Sequence, residues 1–295
     1  MLHHRLHRHQ HSNSDDESSG QDPAISPMTS LAILIPTYNN ASGLQISLDS
    51  LLAAPCPVPR ITLVVDDGSD PPLILDEARY RTLGIELLRL ISNQGIEAAL
   101  NRGVKAAMQR GITHLARLDA GDTIAPDRLT RQLALFEQND ELGIVGSSAR
   151  YVDTAGKLLF VFRAAEDDAV IRRRMHINSC LVHPSVMICV SVLKQVGLYS
   201  TDYPAAEDYD LFFRILAVTQ ARCIPEPLVT TLVSKNGISS RRRRVQLLSR
   251  LRIQCKNFCW HHIEAYLGVL ISLVLLFLPE MPVIMLKRLC KVSSY

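Results

Sequence analysis

Four short apolar runs, each ending in polar residues, constrain this chain more than any other feature. They are L-A-I-L-I-P (31–36), I-T-L-V-V-D-D-G-S-D (61–70), I-E-L-L-R-L (85–90) and I-T-H-L-A-R-L (112–118). Each is short, apolar and bounded by turn or charged residues, and so reads as a buried strand. Residues 43–53 carry Leu44, Ile46, Leu48, Leu51 and Leu52 in a helical pattern, and 95–110 is an alanine-rich helical segment. Strands alternating with helices predict an α/β protein with a mostly parallel central sheet covered by helices on both faces. Such sheets bind ligands beyond the carboxyl ends of their strands. The polar residues there are Thr37, Tyr38 and Asn39 after the first run, Asp66 and Asp67 after the second, Asn93 after the third, and Asp119 and Asp122 after the fourth. Four strand ends delivering polar groups to one rim make that rim the candidate site.

A chain of 295 residues, 47% hydrophobic, suits one large α/β domain or two small ones. A net charge of +3 is too small to argue for a nucleic-acid partner. The seven cysteines are odd in number and contain no C-x-x-C pair. That suggests neither a disulfide framework nor a zinc site, and fits a reduced, cytosolic setting best. Residues 1–29 hold five of the ten histidines within their first eleven positions and almost no apolar content. They read as a disordered, solvated tail, not a signal peptide, since no apolar core follows the basic start.

Further along, 142–162 looks like two strands joined by a turn at Asp153–Gly156. The apolar stretch 180–188 is interrupted by His183 and Pro184, and 203–217 is a helix opened by acids, as the positive helix N-terminus favours. After Ser240 the chain turns basic, and then 265–278 runs for 14 residues without a charge. That is short of the ~20 a spanning helix needs. Both flanks are basic, so the positive-inside rule picks no orientation. The tail reads as lying in or dipping into the cytoplasmic leaflet, with a core-packed helix as the alternative. The expected divisions are a tail (1–29), a domain (30–240, halves 30–125 and 126–240) and a basic and apolar helical tail (241–295).

Six motifs occur in order: I-P-T-Y-N (35–39), V-V-D-D-G-S (64–69), N-Q-G-I-E-A-A-L-N-R-G (93–103), L-D-A-G-D (118–122), H-P-S-V-M (183–187) and A-E-D-Y-D-L-F-F-R (206–214). In these, over roughly 31–240, the chain resembles the family 2 glycosyltransferases of the bacterial polysaccharide type. The resemblance implies a Rossmann-like GT-A fold and an inverting transfer from a nucleotide-sugar donor. It puts Thr37, Tyr38, Asp66 and Asp67 on the nucleoside, with Asp67 on a base N–H, because an ionised carboxylate only accepts. Asn39, Asn93, Gly95 and Asn101 fall on the donor side, and Glu207 and Arg214 also face substrate. Asp208 is the implied general base, with Glu207 and Asp210 as competitors. Asp119 and Asp122 are the implied ligands of a Mg²⁺ or Mn²⁺ ion, although Gly121 stands where the family carries its second acid. His183 is either near the diphosphate or satisfied in a turn, and Arg172–Arg174 either attract an anion or form a solvated helix face. The loop 228–240 keeps only G-I-S of the family's pattern.

The expected activity is transfer of a sugar from a UDP-sugar to a glycan or lipid-linked acceptor in cell-surface polysaccharide biosynthesis, at the cytoplasmic face of the inner membrane. Peripheral membrane contact is expected through 241–295. The alternatives are a non-catalytic, nucleotide-sugar-binding membrane module, and a sugar nucleotidyltransferase. The latter needs a glycine-rich basic loop after the first strand, which I-P-T-Y-N-N lacks.

Overall fold

The computed structural model describes residues 28–233 and 242–277, so the expected N-terminal tail, apart from its last two residues, lies outside the described residues. The four apolar runs form β1 (Leu31–Thr37), β2 (Arg60–Asp66), β3 (Ile85–Arg89) and β4 (His114–Arg117), and the order β3-β2-β1-β4 is parallel throughout. The helical segments form α1 (Ala41–Leu52) and α2 (Ile96–Gln109). Side chains alternate along β1: Leu31, Ile33 and Ile35 pack with α1, while Ala32 and Leu34 pack with α2. A continuous apolar run is what burial on both faces requires. In register, Thr37 lies level with Asp66, so the ends of β1 and β2 present their polar residues side by side.

Beyond β4 the sheet continues through β8 (Met187–Cys189), β6 (Leu142–Val152), β9 (Gln220–Leu232) and β5 (Thr123–Ile124), with β7 (Leu158–Phe162) on β6. One sheet thus crosses both expected halves. β6 and β7 are the expected pair, joined by a turn in which the Asp153 carboxylate accepts from the Ala155 and Lys157 N–H groups. β9 corrects the sequence reading, because 228–232, taken as loop, ends a 13-residue strand. Its Pro225 and Pro227 hid it: proline cannot donate to a ladder, and the pairing with β6 is irregular where they fall. Further α-helices among the described residues of the domain are α3 (Arg128–Gln138), α4 (Asp168–Ile177), α5 (Val190–Val196) and α6 (Glu207–Leu216).

The described part of the tail, 242–277, contains α7 (Arg243–Lys256) and α8 (Ile263–Phe277). They fold back on each other, with Arg243 at the start of α7 donating to Leu275 O near the end of α8. This hairpin is docked on the domain. Arg250 and Gln254 of α7 donate to the last carbonyls of α4, His176 and Ile177, which a helix end otherwise leaves unpaired. Gly268 of α8 lies against the same end: a Cβ there would fall 1.9 Å from His176 O. No helix among the described residues is long and apolar enough to cross a membrane.

Candidate active site

The rim begins where β1 and β2 end. Thr37 Oγ1 and Asp66 Oδ2 are buried and make no hydrogen bond; Asp66 Oδ1 accepts from the Ser69 N–H, and Arg89 lies 3.6 Å from Oδ2. Buried polar atoms are nearly always hydrogen-bonded, so two oxygens without a hydrogen bond at adjacent register positions, one of them facing Arg89, mark a place for ligand donors. Tyr38, 48% exposed, stands beside them. Asn39 serves the backbone: its N–H donates to Ser69 Oγ and its side chain accepts from Asp70 N–H, tying the two loops together.

Asp67 is engaged as well. Its two carboxylate oxygens accept from the N–H groups of Gln94 (2.8 Å) and Gly95 (3.0 Å), fixing the entry to α2. Gly68 makes that approach possible at φ +73°, since a Cβ would sit 2.4 Å from the Ser92 carbonyl carbon. Of the two acids, Asp66 therefore keeps an oxygen free of hydrogen bonds, facing Arg89, and Asp67 builds the loop. Asn93 is exposed at the rim. Asn101 exchanges hydrogen bonds with the Tyr199 backbone, joining α2 to the segment that leads into α6.

The D-A-G-D loop follows β4, and its two acids differ. Asp119 has its side chain 44% exposed, with one oxygen 2.5 Å from Arg117 Nη2. Asp122 is buried, and its oxygens accept from Leu232 N–H (3.0 Å) and Thr231 Oγ1 (3.1 Å) at the end of β9. Burial, reinforced by Asp119, pushes the Asp122 carboxyl up to about 8. The loop is clamped from α1. Ser47 Oγ accepts from Gly121 N–H and donates to Asp122 O, while Asn40 caps α1 through Gly43 N–H and donates to Ala120 O. Gly121 adopts φ +109°, where a side chain is strained. Among the described residues no three His, Cys, Asp or Glu side chains come together as a metal set. The half-exposed Asp119 carboxylate fits a Mg²⁺ ion whose shell is completed by ligand oxygens and water.

Arg117, which the sequence reading passed over, organises this centre. It is fully buried, and its guanidinium donates to Leu34 O, Leu118 O, Asp119 and His183 Nε2. His183 is thereby an acceptor at Nε2, where the Tyr199 hydroxyl also lies 2.9 Å away. Burial and the Arg117 charge hold its imidazole well below the usual range, so it is neutral. The turn reading of His183 fits this. A charged residue inside an apolar strand run, A-R-L-D, is the signal that could have found Arg117. Arg172–Arg174 lie on α4, and Arg172 is bound to Asp168 and to the carbonyls of Leu216 and Thr219.

α6 brings the last group. Asp208 is half-buried, with Oδ1 accepting from Tyr209 N–H at 2.7 Å. Burial pushes its carboxyl up to about 6; Asp119 adds to the rise, and the Tyr209 N–H and Arg117 oppose it. Glu207 is buried, its Oε2 has no hydrogen bond, and burial followed by Asp208 pushes it up to about 8. Asp210 is an internal ion-pair partner of Arg214 (2.8 Å) and Lys256 (3.3 Å). Arg214 also donates to the carbonyls of Val196, Gly197 and Leu198, so its fork holds the loop after α5. The rim therefore gathers Tyr38, Asp119 and Asp208 as accessible groups, with Thr37, Asp66 and Glu207 buried behind them. Asn39, Asp67, Asn101, Asp122 and Arg214 hold the frame, with Gly95 as the N-cap of α2.

This sheet, with an acidic loop after β4 and an acid-led helix alongside, is the GT-A fold of glycosyltransferases. S. aureus TarS in complex with UDP-GlcNAc superposes with a TM-score of 0.61 at 18% identity, covering 85% of this chain and 73% of that one. Mannosyltransferase PcManGT from Pyrobaculum calidifontis, in complex with GDP-Man and Mn²⁺, does so at 0.55 and 16%, covering 90% and 75%. The profile of Glycosyl transferase family 2 matches residues 32–197, and the chain belongs to that family. Over 146 residues it is 31% identical to polyprenol monophosphomannose synthase of Mycolicibacterium smegmatis, covering 46% of this chain and 51% of that protein. The chain spans 27% of the length of two other curated relatives it matches and 65% of a third.

Proposed function

We propose that the chain is an inverting glycosyltransferase that moves one sugar from a UDP-sugar to a glycan or lipid-linked acceptor. The observation that carries this reading is Asp208. It opens α6 as a half-buried carboxylate under the opposed influence of Asp119 and Arg117. An acid tuned to about 6 is ionised at neutral pH yet still basic enough to accept a proton. Thr37 and Asp66 offer the nucleoside oxygens that make no hydrogen bond within the chain, and Tyr38 offers its ring face.

Asp208 takes the proton of the acceptor hydroxyl as that oxygen bonds to the anomeric carbon. The bond from that carbon to the diphosphate oxygen breaks on the opposite face, and the diphosphate leaves with the electron pair. Configuration inverts in one displacement, without a covalent enzyme intermediate. Arg117 is the fixed cation beside Asp119. A divalent ion held by Asp119 and the donor's own diphosphate would add Lewis-acid stabilisation of the leaving group. Asp122 then serves as the tie between that loop and β9 rather than as a second ligand.

The solved neighbours bound to UDP-GlcNAc and GDP-Man support a nucleotide-sugar donor. The polyprenol monophosphomannose synthase relative supports a lipid-linked acceptor; action at the cytoplasmic face of a membrane, in surface polysaccharide assembly, belongs to the same proposal. The test is a donor screen on the purified protein, with and without Mn²⁺, following nucleoside diphosphate release. Metal-stimulated turnover of a UDP-sugar is the expected result. Tight donor binding with no turnover across donors and acceptors would favour a non-catalytic binding module.

A further inference from the structure

The helix α8 is turned inside out for a protein in water. Its buried stripe is Ala265, Gly268 and Ser272, while Ile263, Leu267, Leu270, Ile271, Leu273, Val274 and Phe277 face outward. Leu270 is 57% exposed and Phe277 87%. Small residues inside are required by the close approach to His176 O and by the Ser272–Gln254 hydrogen bond. Nothing comparable among the described residues requires large apolar residues outside. Val245 and Leu248 of α7 are exposed as well, and Phe258, Trp260 and Tyr266 cluster at one end of the hairpin, Trp260 at 76% exposure.

Charge identifies the occupant. Residues 241–295 hold ten lysines and arginines against two acids, leaving 22 against 27 in the rest of the chain. In the described part of the tail, six face one, Glu264, and Arg244, Arg252 and Lys256 are exposed. A second copy docking on this face would bring like charges together. A surface that is apolar below and negative above would match both properties, and aromatic residues favour such a boundary. Among the described residues no helix is long and apolar enough to cross that layer.

We propose that the outward face of the α7–α8 hairpin beds flat into an anionic lipid leaflet. The hairpin also grips the segment before α6: Gln246 donates to Ala205 O and Ser249 to Pro204 O. The bedded face and the segment carrying Glu207 and Asp208 are therefore one assembly, and a lipid-linked acceptor would reach the site along the surface. That consequence rests on the transfer reading above, whereas the binding does not, and it is measured without donor or acceptor.

The full chain is sedimented with vesicles of phosphatidylcholine alone and of phosphatidylcholine mixed with phosphatidylglycerol. Binding to the mixed vesicles, weakened by salt, is expected. Emission from Trp260, the only tryptophan, should shift to the blue on binding. Leu267→Glu with Leu270→Glu changes two exposed side chains, so folding should be retained by circular dichroism while affinity falls about tenfold or more. Arg244→Gln with Arg252→Gln should weaken binding to the mixed vesicles by roughly tenfold. The proposal is overturned if the wild type stays in the supernatant, or if the double glutamate variant binds as tightly as the wild type. It is equally overturned if light scattering finds a dimer that the glutamates split and vesicles capture none of it.

Discussion

Two neighbouring acids on α6 carry opposite assignments. Asp208, pushed up to about 6, must be ionised to act, so the acid limb of kcat/KM should fall near pH 6 rather than near 4. Asp208→Asn should keep donor binding and lower transfer by about 10²–10⁴ or more, read by isothermal titration beside a turnover assay. Glu207, pushed up to about 8, keeps its proton at neutral pH. Its folded value lies above its unfolded one, so stability from this group is lost as pH rises from about 4.5 towards 8. Glu207→Gln mimics the protonated acid. It should retain most activity and flatten that decline in Tm, whereas a Tm profile with the same slope would remove Glu207 as its source. The acids themselves were legible, because the motifs quote them. Their division of labour was not. Asp66 and Asp67 look equivalent in V-V-D-D-G-S, and only the folded loop shows that Gln94 and Gly95 occupy the second. Asp122 is likewise answered by Thr231 and Leu232, 109 and 110 residues away.

At the scale of elements, the sequence disclosed the parallel core because each of its strands is a continuous apolar run. It concealed β9, where two prolines and Glu226 break the pattern, yet that strand anchors Asp122. The D-A-G-D loop is held mainly by another element, α1. Ser47→Ala removes the acceptor for Gly121 N–H and the donor to Asp122 O in a fully buried place. A loss of about 1–3 kcal/mol is expected for groups left unpaired in this way. Donor affinity in Mn²⁺ should fall with it, while Asp208 keeps its acid limb. A loss of stability with unchanged metal-dependent affinity would mean that the loop holds its shape without α1.

At the scale of the molecule, the tail is part of the catalytic domain's support as well as its outer face. Ala205 adopts φ +61°, a conformation that costs a non-glycine residue about 1–2 kcal/mol. Gln246 holds its carbonyl, Ser249 holds that of Pro204, and Lys256 reaches Asp210, all within five residues of Asp208. Ending the chain after residue 241 removes all three, together with the donors that cap α4. The strained segment should then relax and carry Asp208 away from its place. On a water-soluble acceptor, where no membrane is needed, kcat should fall about tenfold or more while donor KM changes little, because Thr37 and Asp66 lie at the other strand ends. Gln246→Ala with Lys256→Ala gives the same comparison without exposing the surface beneath the hairpin, and should show the same split between kcat and KM. Wild-type turnover in both variants would reduce the hairpin to a tether; a fall in kcat alone makes the lipid-facing element a working part of the acceptor site.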